Sequence, residues 1–255
     1  MRILLLANNW VGWQVAAWLK ERGDEIVGLV LHPPFKRKYG DEIVETVGIL
    51  PDYVFDGSRL RQPETVDAIE HLKVDIGLSV FFGHILRSDF LHIFPAGVVN
   101  IHPSYLPYNK GAFPNVWSIV EGTPAGVTLH YIDDGVDTGN IIAQKLVPVI
   151  ATDTGETLHR RLELACVELF KETWPLIACG QVRSSVQVSG VGTYHKVRDV
   201  EKLDEIQLER SYTARELLSI LRARTFPPYP GAYFIDEGRK VYLRLQLFYE
   251  DESSQ

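Results

Sequence analysis

The stretches Ile3 to Ala7, Glu25 to Leu31 and Val74 to Phe82 are aliphatic almost without interruption. Strands written this way are buried on both faces, which is the condition of a parallel sheet covered by helices. An amphipathic stretch from Val11 to Glu21, closed by Gly23, separates the first two and completes a β-α-β unit. The chain is therefore expected to fold as an open, mostly parallel, twisted α/β sheet. Ala7-Asn8-Asn9-Trp10-Val11-Gly12 supplies one glycine where a dinucleotide fingerprint needs three, so NAD binding is excluded.

Further along, Glu42 to Val47 and Pro63 to Lys73 read as helices, Gly97 to Ile101 as a short strand and Phe113 to Val120 as a short helix. Gly126 to Ile132 and Ile141 to Pro148 alternate like strands that pair as an antiparallel extension. A long helix is predicted from Gly155 to Ala178, capped by Thr152 or Asp153 and kinked or cut by Pro175. The expected organisation is a catalytic domain over 1–183, a polar linker over 184–192 and a small mixed α+β domain over 193–255. Within that last part, Tyr212 to Arg224 reads as a capped helix, Thr225 to Phe234 as a rigid aromatic loop and Val241 to Phe248 as a strand. Glu250 to Gln255 is expected to fray.

A length of 255 residues with 45% hydrophobic and 23% charged composition suits one large domain and an appendage. The net charge of −7 argues against a broad basic surface for DNA or a whole tRNA. Cys166 and Cys179 lie more than three turns apart on one helix, too far to bridge, and are expected to be reduced core residues. The apolar start is too short for a signal sequence or a membrane span, which makes the cytoplasm the expected location and a membrane partner unexpected. His32 to Gly40 is a loop carrying Lys36, Arg37 and Lys38, suited either to solvent or to a ligand's phosphates.

The densest polar signal runs from Gly97 to Ile142. Asn100 and His102 are two residues apart and project from one face of an extended chain. The glycines of Asp133-Asp134-Gly135-Val136-Asp137-Thr138-Gly139 permit a tight loop that delivers Asp137 inward. An amide donor beside an imidazole suits acyl transfer: the amide stabilises the developing oxyanion and the imidazole exchanges a proton with the attacking amine. Asp137 would orient His102. His92, His102, His130, Asp133, Asp134 and Asp137 match no recognised ligand spacing, so no metal is expected.

Asn100-Ile101-His102-Pro103-Ser104-Tyr105-Leu106-Pro107, Lys110-Gly111, Gly126-Val127-Thr128-Leu129-His130 and Val136-Asp137-Thr138-Gly139-Asn140-Ile141-Ile142 resemble the signature of the folate-dependent formyltransferases. The resemblance implies a Rossmann-like catalytic domain that moves a formyl group from N10-formyltetrahydrofolate, the co-substrate, to a primary amine. It places Asn100 at the formyl oxygen, His102 as acid or base, and Asp137 beside His102. It assigns Phe82, Gly83, His84, Ile85, Leu86, Leu106, Gly126, Ile132 and Asp133 to the pterin pocket. Within the family, Lys110 to Trp117 and Leu221 to Tyr233 look most like the enzymes acting on nucleotide-linked amino sugars. That reading brings Asn9, Lys36, Lys38, Ser104, Tyr105, Lys110 and Tyr229 to the acceptor, and expects a homodimer with no nucleic-acid partner. Methionyl-tRNA formylation, hydrolysis of the formylated folate and a silent folate- or nucleotide-sugar-binding module are the alternatives.

Overall fold

In the computed structural model, which describes residues 1–188 and 190–252, the aliphatic runs form the middle of a seven-stranded sheet. Strand β1 (Arg2–Ala7) leads into helix α1 (Asn9–Arg22), β2 (Glu25–Leu31), α2 (Gly40–Val47), β3 (Val54–Asp56), α3 (Pro63–Glu70) and β4 (Ile76–Val80). Then come α4 (Ser88–Leu91), β5 (Val98–His102), β6 (Lys110–Gly111), α5 (Pro114–Glu121), β7 (Gly126–Tyr131), β8 (Ile141–Leu146) and α6 (Gly155–Ala178). The remaining elements are β9 (Tyr194–His195), α7 (Val197–Asp204), α8 (Ala214–Ala223), β10 (Tyr233–Asp236) and β11 (Arg239–Tyr242).

The strand order is β3-β2-β1-β4-β5-β7-β8. β1 pairs in parallel with β2 and β4, β2 with β3, and β4 with β5, whereas β7 runs antiparallel to β5. Ile3 to Ala7 are fully buried, as expected of a strand covered on both faces. The order reverses at β1 and β4, and in such sheets ligands bind beyond the carboxyl ends of the strands at that reversal. Helix α1 ends at Gly23, whose φ of 83° lets its N–H return to the carbonyls of Leu19 and Lys20. One core cluster gathers Leu4, Leu6, Val30, Ile69, Val74, Phe82, Leu86, Phe90, Phe94 and Val98.

The chain divides into two compact units. The first comprises Met1–His102, Val127–Lys145 and Glu163–Val188, and holds the sheet. The second comprises Pro103–Gly126, Leu146–Leu162 and Ser189–Gln255. In it α5 packs against α8, β6 pairs in parallel with β9, and β10 forms an antiparallel hairpin with β11. Its core gathers Ile206, Ile220, Leu221 and Ala232. Thr213 caps α8, its hydroxyl accepting from the Glu216 N–H at 3.1 Å.

Several local expectations are corrected. β3 has three residues and no alternation to announce it, and is ordered by pairing with Leu29, Val30 and Leu31. The strand expected over Val241 to Phe248 stops at Tyr242, because its partner is the four-residue β10, which takes up the end of the predicted aromatic loop. Ser185 exchanges backbone bonds of 2.8 Å with Ile141, and Gln187 is buried, so the first part of the expected linker lies along the sheet. α6 continues through Pro175 to Ala178. Cys166 is buried, with its thiol pushed up by desolvation, but Cys179 is exposed because it sits in the solvent-facing turn after the helix. Glu250–Glu252 form a 3-10 turn, and the rest of the tail expected to fray, residues 253–255, lies outside the described residues. Among the described residues no helix is long and apolar enough to cross a membrane.

Leu4 is fully buried in the centre of the first unit. Leu4→Ala is expected to cost about 2–5 kcal/mol of unfolding free energy, measured by urea denaturation as a lower midpoint with an unchanged slope.

Candidate active site

The sheet register gathers the polar side chains of the first unit. Ser79 on β4 lies opposite Asn100 on β5, and Asn100 lies opposite His130 on β7. One step along, His102 faces Thr128, so alternation puts Asn100, His102, Thr128 and His130 on one side of the sheet. His102 and His130 are buried, at 7% and 2% exposure, while Asn100 is half-buried.

Asp137 arrives from the loop between β7 and β8. Its φ of 53° is left-handed, a conformation aspartate tolerates better than most residues. Gln187 holds the loop, its amide donating to the carbonyls of Asp137 and Gly139, each at 2.8 Å. Gly139 is required there, since a Cβ would fall 1.8 Å from the Tyr131 carbonyl oxygen. The carboxylate then stands between the two imidazoles, Oδ2 at 3.5 Å from His102 Nε2 and Oδ1 at 3.6 Å from His130 Nε2. The rings themselves meet edge to face, with centroids 6.3 Å apart. Among the described residues no group of three His, Cys, Asp or Glu side chains is placed to hold a metal ion.

Asn100 is held at both ends of its amide. Oδ1 accepts from the Ser79 hydroxyl at 2.8 Å, and Nδ2 lies 3.1 Å from His130 Nε2. His130 Nδ1 lies 2.8 Å from the Tyr131 carbonyl. Gln144 donates to Thr128 Oγ1 at 3.0 Å. In the sequence His130 appears as the end of the family signature segment and among conceivable metal ligands, without a role of its own, and nothing there marks Ser79 or Gln187. The two-residue spacing of Thr128 and His130 was visible, but their meeting with Asn100 required the strand register.

The Phe82 to Leu86 segment follows β4 at its carboxyl end. Phe82 and Leu86 are buried, Ile85 is 70% exposed, and the ring of Phe82 packs with those of His32 and His84. His32 and His84 lie 4.6 Å apart, and the Gly83 N–H donates to His32 Nε2 at 3.2 Å, which leaves the ring proton on Nδ1. Burial, followed by the charges of His84 and Lys36, lowers the pKa of His32 to about 4, with Asp56 opposing. Burial also lowers that of His84. Ile132 packs on the core cluster, and Asp133 accepts from Thr138 Oγ1 at 2.6 Å and the Gly135 N–H at 3.1 Å.

The residues expected at the acceptor fall in both units. In the first, the Asn9 N–H donates to the Lys38 carbonyl at 3.0 Å, and the Lys38 N–H donates to Asn8 Oδ1 at 2.7 Å. Asn9 also donates from Nδ2 to Glu163 at 3.0 Å, and Lys36 is exposed with its ammonium over Phe35. In the second, Ser104 and Leu106 are buried, Tyr105 and Lys110 are half-buried, and Gly126 is buried. Tyr229 is half exposed and packs edge to face on Phe226.

Fold and site together define an α/β enzyme equipped for chemistry at a carbonyl group. The chain belongs to the formyltransferase family: the formyl transferase profile matches residues 8–173, and one described as an N-formyltransferase dimerization C-terminal domain matches residues 199–249. It is an N-formyltransferase. A methionyl-tRNA formyltransferase of Geotalea daltonii is 30% identical over 250 residues, 95% of this chain and 78% of that protein. A 4-N formyltransferase from Francisella tularensis superposes with a TM-score of 0.83 at 26% identity, over 97% of this chain and 98% of that one. A formyltransferase from Anoxybacillus kamchatkensis, solved with UDP-4,6-dideoxy-4-formamido-L-AltNAc and tetrahydrofolate, is 34% identical, with a TM-score of 0.58 over 79% of this chain and 89% of that one.

The lowered pKa of His32 has a definite sign in stability. Between pH 6.5 and about 4 the unfolded chain binds this proton and the native protein does not, so stability rises with pH across that window. Urea unfolding from pH 7 to pH 4 should show a decline that is smaller in His32→Gln, and the imidazole of His32 should titrate near pH 4 by NMR.

Proposed function

We propose that the protein transfers the formyl group of N10-formyltetrahydrofolate to the primary amine of a nucleotide-linked amino sugar. The chemistry rests on the first unit. The acceptor nitrogen attacks the formyl carbon, a new C–N bond forms, and the bond to N10 of the folate breaks. An Asn100 N–H stabilises the oxyanion of the tetrahedral intermediate, and preorganised donors of this kind are worth most in a site screened from water. His102 takes the proton from the attacking amine and returns it towards the leaving nitrogen, with Asp137 holding the imidazole and favouring its charged form. The 3.5 Å separation of His102 and Asp137 is of the kind that tightens when a substrate binds. Phe82 to Leu86, with Ile132 and Asp133, take the pterin. Asn9 and Lys38, whose backbones are bonded to each other, take anionic groups of the acceptor together with the exposed Lys36.

What supports the choice of acceptor is the likeness to solved sugar-nucleotide enzymes, above all the 34% identical formyltransferase from Anoxybacillus kamchatkensis. The Anoxybacillus protein, holding a formamido sugar nucleotide and tetrahydrofolate, shows a product pair of this same reaction type. Methionyl-tRNA formylation is the second reading, favoured by the curated relatives. A net charge of −7 weighs against it, because holding a whole tRNA depends on displacing counterions with a basic surface.

The test is release of tetrahydrofolate followed by absorbance, with dTDP-, UDP- and GDP-amino sugars, charged methionyl-tRNA and no acceptor in parallel. Stimulation by an amino sugar alone is expected, and stimulation by tRNA alone overturns the acceptor. His102→Ala and Asp137→Ala should each lower turnover by roughly 10² to 10⁴ in folded protein, and near-normal rates would remove them from the mechanism. We also propose a homodimer, for which light scattering at micromolar concentration should give twice the 28.9 kDa chain mass.

A further inference from the structure

We infer that Ser79 and His130 are positioning residues that lock the orientation of the Asn100 amide, so that the formyl oxygen meets an N–H and never the amide oxygen. This rests on the role given to Asn100 under the proposed function.

The two ends of an asparagine amide have nearly the same shape and opposite hydrogen-bonding character, so partners decide which end points where. Here the decision begins at Tyr131, whose carbonyl lies 2.8 Å from His130 Nδ1 and can be satisfied by that nitrogen only if it carries the proton. Neutral His130 therefore presents a lone pair at Nε2. Asn100 Nδ2 stands 3.1 Å away and donates to it, while Asp137 Oδ1, at 3.6 Å from the same nitrogen, lies beyond hydrogen-bond distance. Turning the amide over would set Oδ1 against that lone pair, which is repulsive. With Nδ2 directed to His130, Oδ1 is left to accept from the Ser79 hydroxyl at 2.8 Å. The second N–H of Asn100 has no partner among the described residues. It is the donor that remains for an oxyanion.

The sheet register makes this row rigid. Ser79, Asn100 and His130 occupy one rung across β4, β5 and β7, so all three side chains leave the same face at neighbouring positions. Ser79 and His130 are both nearly fully buried, at 3% and 2% exposure, and water cannot readily replace either partner. Neither residue needs to touch the substrate. Their effect passes through the amide that does.

The experiment is steady-state kinetics on Ser79→Ala, Ser79→Thr, His130→Leu and His130→Gln, each also built into Asn100→Ala, with folding checked by circular dichroism. Ser79→Ala and His130→Leu are expected to lower kcat on the order of tenfold to a hundredfold, less than removal of an oxyanion donor itself, with KM for the folate little changed. Ser79→Thr keeps the hydroxyl and His130→Gln keeps an acceptor, so each should recover most of the loss. In the Asn100→Ala background the losses from Ser79→Ala and His130→Leu should vanish, because no amide is left to orient. A merely structural role would lower the unfolding midpoint and show no such dependence on Asn100.

Full kcat in both Ser79→Ala and His130→Leu, beside a crippled Asn100→Ala, overturns the positioning role and leaves the reaction assignment standing. Losses that multiply with that of Asn100→Ala overturn it as well. Normal turnover by Asn100→Ala alone overturns the mechanism on which the inference rests. Should Ser79→Ala not fold, the His130→Leu and His130→Gln pair reads the same amide from its other end.

Discussion

The junction of β4, β5 and β7 is the constraint on which the rest of the site depends. β5 pairs in parallel with β4 on one side and antiparallel with β7 on the other, so it is where the sheet changes direction. A slip of one residue in either pairing would turn every side chain of the slipped strand to the opposite face. Ser79, Asn100 and His130 would then no longer share a rung. The buried aliphatic faces resist such a slip, since Val99, Ile101, Val127 and Leu129 would have to surrender their places to polar groups. The apolar packing of the sheet thus fixes the polar geometry of the site, though none of those apolar residues has a chemical role.

Electrostatic arrangement follows from that frame. Asp137 reaches two imidazoles at nearly equal distance, with its side chain only 14% exposed. A carboxylate so placed is weakly screened by solvent. Asn100 already makes a hydrogen bond with His130 Nε2, and His102 is the ring given the proton transfer in the mechanism proposed above. The loop pays for this placement with the left-handed backbone of Asp137, and Gln187 and Gly139 are what hold it there.

The fold was legible where burial leaves a continuous mark. Ile3 to Ala7 and Ile76 to Val80 announced parallel strands because both their faces are dry, and α6 was bounded from its apolar spacing and the capping residues ahead of it. β3 and β10 were not legible, because a strand of three or four residues owes its order to a neighbour supplied by distant sequence. The same holds within the site. Asn100 and His102 could be paired from a spacing of two, and Asp137 from the glycines beside it. Ser79 and His130 sit within runs whose dominant signal is apolar, and Gln187 in a stretch whose polar composition reads as linker. Their roles arise from register and from contacts across many residues, which local pattern does not encode.

Gln187 ties the site to a late part of the chain. The carbonyls of Asp137 and Gly139 are bonded by a residue that follows them by about 50 positions, on the far side of α6. The first unit is assembled from Met1–His102, Val127–Lys145 and Glu163–Val188, and a domain folds as a unit. Asn100 and His130 take their places from strand pairings confined to residues 77–131. The carboxylate loop draws its anchor from later sequence, where Ser185 pairs with Ile141 and Gln187 donates to the loop carbonyls. A chain cut before Gln187 would thus keep every polar residue of the β4-β5-β7 rung and lose the two bonds that hold the Asp137 loop.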